Sequence, residues 1–375
     1  MAAFRIDVPD AVLQDLSQRL ARTRWPDSIT GEDDDWSWGT PVPALRALVD
    51  RWRHGYDWRA TEARLNALRH ELLDIDGFGV HVVRAGTRGA TPLLLLHGWP
   101  DSFLRFEKVL PLLSERFDLV IPSVPGYGFT ERPASPGYGP DRVADLLAGT
   151  MSRLGFASFG VHGADIGSTI AEAVALRHPG RVIGLHLGDV PFWHRYTVDP
   201  ATLDAGETAY TAAMAEWFQT EGAYALLQRT KPQTLAYALT DSPVALAAWY
   251  LEKFRAWSDN GGDVSSRFTL DELIDGLMIH WVTGTAGSAA RYYRDASLRQ
   301  IDPASRVGVP TGFAIFPHDI HPAPRQFAER FFDVRRWTRM PRGGHFGPWE
   351  EPAAFAGELT AFFDELAGAG TESSG

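Results

Sequence analysis

A chain of 375 residues with 45% hydrophobic and 12% aromatic side chains can bury a large core, which excludes disorder and coiled coil. Its 36 Lys and Arg against 47 Asp and Glu leave a net charge of −11, which argues against nucleic acid or an anionic membrane surface as partner. The absence of cysteine removes disulfides, thiolate nucleophiles and zinc–thiolate sites together, and no apolar run approaches the roughly 20 residues of a membrane span.

Residues 1–71 open without an apolar signal segment, as expected of a cytoplasmic protein, and carry three helical patterns with few apolar side chains each. Val12, Leu13, Leu16 and Leu20 form the first, Leu45, Leu48, Val49 and Trp52 the second, and Ala63, Leu65 and Leu68 the third. Between the first two lie an acidic run from Glu32 to Asp35, read as a solvated loop, and Trp36 and Trp38, read as packing anchors. Such thin stripes suit an extension packed on a larger core.

From residue 72 the period shortens. Leu73, Ile75, Val80 and Val82 alternate with polar residues about Asp76-Gly77, the pattern of a hairpin. Apolar runs at 92–96, 119–121, 159–162 and 182–187 alternate with helical stretches at 103–113, 143–154 and 169–175. This predicts an α/β fold with a mostly parallel sheet covered on both faces. The first core part is therefore 72–190. Residues 191–300 carry helical patterns and no strand signal, so a helical lid is expected after the sixth strand. The second core part, 301–366, holds strands at 311–316 and 334–338 and helices at 324–332 and 352–366. Residues 367–375 read as a flexible tail.

Gly163-Ala164-Asp165-Ile166-Gly167 follows a predicted strand and opens a predicted helix. A small-x-nucleophile-x-small bend demands tiny flanking side chains and lifts the central one clear of the sheet. The helix N-terminus is expected to keep Asp165 ionised and exposed. Taken alone, the pentapeptide reads better as a helix N-cap, and Ser168 suits a capping or core role.

His97-Gly98-Trp99-Pro100 directly follows the strand at 92–96. In this architecture that loop supplies one backbone N–H of an oxyanion hole, and the residue after the elbow supplies the other, which gives Trp99 and Ile166. His97 is read as a structural hydrogen bonder. Gly343-Gly344-His345-Phe346 follows the last strand, in the chain order nucleophile, acid, histidine. The acid expected before it is Asp319. His318, Asp319 and His321 also resemble a metal cluster, but no HExxH pattern accompanies them, so the catalytic acid is the better reading and neither metal nor cofactor is expected.

Together these motifs resemble the epoxide hydrolases of the α/β-hydrolase fold, above all the microsomal-type branch with its N-terminal helical extension. The likeness runs from about Phe4 to Leu366 and takes in the lid stretches Glu221-Gly222-Ala223-Tyr224 and Arg291-Tyr292-Tyr293-Arg294. It implies Asp165 as nucleophile, His345 as general base, Asp319 as orienting acid, and Tyr224 and Tyr293 as donors to the epoxide oxygen, with Tyr292 competing for the last place. The eukaryotic branch has a membrane anchor before this region and this chain has none, so a soluble protein is expected. Asp319 stands where Glu is frequent.

The partners implied are a small-molecule epoxide and water. The aromatics Trp217, Phe218, Trp249, Tyr250, Phe254 and Trp257 suggest an apolar pocket wall and a bulky or aromatic epoxide, a natural product among the candidates, with Trp99 and Trp249 against the substrate. The sequence leaves the number of subunits open, a homodimer included. A haloalkane dehalogenase shares the Asp elbow but needs halide donors, often an indole where this chain has Ile166. An esterase is opposed by the Asp at the elbow, and a binding protein has no physical need for a full triad.

Overall fold

The computed structural model describes residues 2–27 and 35–372; Glu32 to Asp34 of the acidic run lie outside them, as do residues 373–375. Nine strands among the described residues form one sheet: β1 (Ala2–Ala3), β2 (Arg69–Ile75), β3 (Phe78–Gly86), β4 (Thr91–Leu96), β5 (Phe117–Pro122), β6 (Phe159–Gly163), β7 (Val182–Leu187), β8 (Val307–Ile315) and β9 (Phe332–Arg339). Their order is β1-β2-β3-β5-β4-β6-β7-β8-β9. The pairings from β1 to β5 are antiparallel as far as β3–β5, and all those from β5 to β9 are parallel.

The predicted hairpin is β2–β3. Asp76 and Gly77 both adopt positive φ, 53° and 83°, as a two-residue turn matched to strand twist requires. Every residue of β5 and β6 is buried, so helices cover both faces of the sheet there. Gly160, Gly184 and Gly312, in β6, β7 and β8, leave the space that Phe363, Phe362 and Leu366 of the last helix occupy; a Cβ on Gly160 would come 2.4 Å from Phe363.

Several boundaries differ from expectation. The lid follows β7, the sixth of the strands read from the sequence; the two-residue edge strand β1 is the additional one. The extension boundary at residue 71 falls inside β2, because polar Arg69, His70 and Glu71 hide the strand's start; His70 is nonetheless buried, bonded to His81 at 2.9 Å. The last helix spans Pro352–Glu372, continuing past the expected tail start at 367, since Leu366 still packs on Gly184. Trp38 is 73% exposed and anchors nothing, whereas Trp36 is half-buried under Arg255.

The extension packs on the lid as well as on the core. Its helices Asp10–Ala21 and Val42–His54 pack against lid helices Pro243–Trp257 and Leu270–Thr283. Arg19 bonds Asp241 at 2.7 Å, Arg51 bonds both oxygens of Asp271, and Tyr56 and Thr61 both donate to Asp275. The lid itself is helical, with six α-helices between residues 205 and 296. Two of them begin with reciprocal capping boxes, Asp204 with Glu207 and Thr269 with Glu272, which satisfy orphan N–H groups at the helix starts.

Candidate active site

β6 ends at Gly163 and the helix Ile166–Arg177 begins two residues beyond Ala164, so the chain must reverse within Asp165, whose φ is 58° and ψ −130°. That backbone is strained for a residue with a Cβ and persists only because its surroundings hold it. A Cβ on Gly163 would lie 2.2 Å from the Gly167 carbonyl oxygen, and one on Gly167 would lie 2.6 Å from that of Leu96. Both flanking glycines are therefore obligatory.

The bend presents the Asp165 carboxyl to two loops. Its Oδ1 accepts the Trp99 N–H at 2.7 Å, and the Ile166 N–H beside the carboxyl favours its charged form. Gly98 lets the Trp99 loop come this close; a Cβ there would meet the Asp165 Cβ at 2.6 Å. Oδ2 faces His345 Nε2 across 3.6 Å. On its far side, His345 Nδ1 lies 2.7 Å from Asp319 Oδ1, which also accepts the Ile320 N–H at 2.6 Å. The His345 backbone N–H donates to the Trp257 carbonyl at 2.8 Å, tying the histidine loop to the lid.

Charges at this site offset one another. Burial pushes the Asp165 carboxyl up, further than His345 and the N–H groups of Ile166 and Trp99 draw it down. With only 13% of its side chain exposed, the carboxyl is sheltered rather than open as the helix dipole alone suggests. Burial disfavours a charged His345, but Asp319 and then Asp165 outweigh it and hold the imidazole above its ordinary value. Asp319 is pushed up by burial and drawn down further by His345, ending below the usual carboxylate range.

Two phenols reach the site from the lid, Tyr224 on the helix Ala223–Thr230 and Tyr293 on the helix Ala286–Ala296. Burial first, and then the charge of Asp165 among other causes, holds both well above the ordinary tyrosine value, and each shifts the other's titration. Both pack on Trp99: Tyr224 stacks on it at 5.0 Å with planes 8° apart, and Tyr293 meets it edge-on at 5.9 Å. Tyr292 also lines the cavity, and its buried hydroxyl has no hydrogen-bond partner.

A cavity of about 600 Å3 opens over Asp165, His345 and the two phenols. Met214, Trp217, Phe218 and Leu226 line it together with Trp193, Tyr292 and Ile301. Neither Trp99 nor Trp249 is among its lining residues, contrary to expectation. The Trp99 ring is sealed under Tyr224 with Tyr250, Trp257 and Tyr293 at its edges, leaving it 1% exposed. No residue of the helix Pro243–Trp257, Trp249 and Trp257 included, lines the cavity. Tyr250 and Phe254 are likewise core residues.

His97 is structural, as read: Nδ1 lies 2.9 Å from the Gly98 carbonyl and Nε2 accepts the Val124 N–H at 3.0 Å. Burial lowers its pKa to about 3, so it stays neutral. His318 faces Asp259 at 3.3 Å while Asp319 turns to His345, so the suspected cluster divides between two partners.

Sequence reasoning does not single out Asp101, Arg105 or Asp189. Arg105 is fully buried; its Nε lies 3.2 Å from Asp101 Oδ2 and its Nη2 donates to the His345 carbonyl, so it joins the Trp99 loop to the histidine loop. The available signal is an acid and a base four residues apart directly after the HGWP motif. Asp189 lies just past β7, at the carboxyl end of a parallel strand where such sheets bind ligands, and it lines the cavity.

Fold and site together define an α/β-hydrolase whose elbow carries a carboxylate. A family model for the epoxide hydrolase N terminus matches residues 1–106, and one for the alpha/beta hydrolase fold matches residues 91–191. Juvenile hormone epoxide hydrolase 2 of Ctenocephalides felis is 34% identical, covering 96% of this chain and 84% of its own. Epoxide hydrolase 1 of Sus scrofa is 33% identical, covering 97% of this chain and 88% of its own. The crystal structure of juvenile hormone epoxide hydrolase from the silkworm Bombyx mori matches with a TM-score of 0.88 at 27% identity, over 98% of this chain and 95% of that one. The chain belongs to the epoxide hydrolases. No helix among the described residues is long and apolar enough to cross a membrane.

Proposed function

We propose that this enzyme converts an epoxide to a vicinal diol through a covalent ester on Asp165, which water activated by His345 then cleaves. One observation carries the reading: the Asp165 carboxyl accepts the Trp99 backbone N–H at Oδ1 and is faced at Oδ2 by an imidazole that touches it too loosely to be its hydrogen-bond partner.

In the first step a carboxylate oxygen of Asp165 attacks one ring carbon and the C–O bond opposite breaks. The departing alkoxide needs a proton, and Tyr224 and Tyr293 supply it. Their buried phenols stay protonated over the working range, so each has a proton to give. In the second step His345, oriented by Asp319, takes a proton from water, and the hydroxide attacks the ester carbonyl carbon. The oxyanion forms beside the N–H groups of Trp99 and Ile166, each such donor being worth about 3 kcal/mol. Collapse breaks the ester C–O bond, and the expelled alkoxide takes the proton from the His345 imidazolium and leaves as the diol. The proton remaining on the Asp165 acid goes back to the tyrosinate, which restores the carboxylate and both phenols. A carboxylate suits this division because its ester keeps a carbonyl that water can attack, whereas a serine would form a stable ether.

The cavity of about 600 Å3 and its many apolar lining residues favour a bulky or aromatic epoxide, a natural product among them. His345→Gln tests the mechanism: with a confirmed substrate, the variant accumulates an adduct of protein plus intact epoxide mass. Turnover without an adduct would remove His345 from the role of base.

A further inference from the structure

Asp189 holds the elbow from behind. Its Oδ1 accepts the Asp165 backbone N–H at 2.8 Å, and its Oδ2 lies 2.9 Å from Ser168 Oγ. That same hydroxyl lies 2.6 Å from the Asp165 carbonyl oxygen. A serine hydroxyl has one proton to give, and the shorter contact claims it, because two oxygens 2.6 Å apart need a proton between them. The 2.9 Å contact is then a hydrogen bond only if Asp189 is protonated on Oδ2 and donates to Ser168 Oγ. A neutral acid fits both contacts at once, its carbonyl oxygen toward the N–H and its hydroxyl toward the serine.

We infer that Asp189 is a carboxylic acid in the resting enzyme, a positioning residue that holds the elbow while neutral and slows hydrolysis of the Asp165 ester when it ionises. The inference rests on the covalent-ester reading and deepens it.

The surroundings favour the neutral form. Asp165 faces Asp189 from the elbow, Asp319 from the loop after β8, and His345 from the loop after β9. Tyr210 faces it from the lid helix Ala205–Thr220, with Arg195 next to that phenol. Burial is the largest cause that lifts the Asp189 carboxyl, to about 7, and the charges of Asp319 and Asp165 add to it against the Asp165 N–H and His345. Three ionised carboxyls around one imidazole are costly, and a protonated Asp189 removes one of them.

The two half-reactions respond differently. Ring opening consumes the negative charge of Asp165, so a neighbouring anion does not oppose it. Ester hydrolysis places new negative charge on the Asp165 carbonyl oxygen, which an ionised Asp189 repels. As pH rises through about 7, hydrolysis slows, on the order of tenfold for charges this close in a sheltered site.

Asp189→Asn copies the neutral acid, with its carbonyl oxygen toward the Asp165 N–H and its NH2 toward Ser168 Oγ. Rapid-quench mass spectrometry with styrene oxide, from mildly acidic to mildly alkaline pH, follows ester formation and decay separately. In the wild type, decay is expected to fall about tenfold on the alkaline side while formation does not; in D189N, decay stays level there. An alkaline fall retained in D189N would overturn the inference, as would a uniform loss at every pH, which marks structural support alone. Should D189N not fold, Ser168→Ala carries the test: loss of the acceptor eases ionisation of Asp189, so the fall moves to lower pH, and an unmoved fall would overturn the inference. Absence of any ester in the wild type would defeat the covalent reading itself, an outcome distinct from an ester whose decay ignores Asp189.

Discussion

His345 Nε2 stands 3.6 Å from Asp165 Oδ2 and has no hydrogen-bond partner. The separation exceeds a hydrogen bond, so the base is not spent on the carboxylate it faces. Asp319 fixes the opposite nitrogen at 2.7 Å, which leaves Nε2 as the atom free to take a proton from water beside the Asp165 carbonyl.

The pH dependence of ester hydrolysis follows from that pairing. Below its raised pKa His345 is charged and cannot accept a proton, so the acid limb of the profile climbs through a midpoint above the ordinary histidine value before the alkaline fall assigned to Asp189 sets in. Asp319→Asn removes the charge that stabilises the imidazolium and moves this rise to lower pH. It also lowers the plateau, on the order of 10²–10⁴-fold, because the ring loses its orientation. Single-turnover decay of the ester across pH checks both, and an unmoved rise would contradict them.

Tyr224→Phe and Tyr293→Phe should each slow ring opening by about 10–100-fold, and the double variant by about 10²–10⁴-fold, the usual range for a positioned general acid. Tyr292→Phe should leave the rate of ester formation within about twofold, since its hydroxyl neither couples to Tyr224 nor belongs to the rings packed on Trp99. Rapid-quench measurement of ester formation separates the three. A large loss in Y292F would move the donor role by one residue.

Gly98→Ala should abolish ring opening while the protein stays folded. The added Cβ would sit 2.6 Å from the Asp165 Cβ and 2.8 Å from its Oδ1, so the carboxyl must leave its N–H donors. Circular dichroism and ester formation read the two effects, and full activity in G98A would show that the carboxyl can work from another position.

Arg105→Met leaves Asp101 buried without its cation, which should cost about 3–5 kcal/mol near neutral pH. Burial already holds the Asp101 carboxyl at about 6 even with Arg105 present, above its value in the unfolded chain. Folding therefore takes up a proton as pH falls, and the variant's deficit should shrink in acid. Urea unfolding of both proteins at neutral and acidic pH checks this; a deficit independent of pH would assign the loss to packing.

The parts of the site that sit at strand ends were legible in the sequence, because a strand followed by glycine-flanked chemistry leaves few geometries. Asp165, Trp99, Asp319 and His345 meet for that reason. Helix phase was less legible. Neighbouring positions point about 100° apart, so nothing local separates Tyr292 from Tyr293 or keeps Trp249 out of the cavity wall. Long-range partnership was not legible at all. Arg19 and Asp241, or Arg51 and Asp271, look like ordinary surface charges until the extension lies on the lid. The proton on Asp189 depends on two contacts of one serine, which only three-dimensional placement reveals.

The most direct test of the covalent ester is one turnover in heavy-oxygen water with enzyme in excess over the epoxide. Water that attacks the ester carbonyl leaves its oxygen on the protein, so a peptide carrying Asp165 should gain the label while the first diol is unlabelled. Label in the diol with none in Asp165 would mean that water attacks the epoxide directly, and the role given to the elbow carboxylate would be wrong.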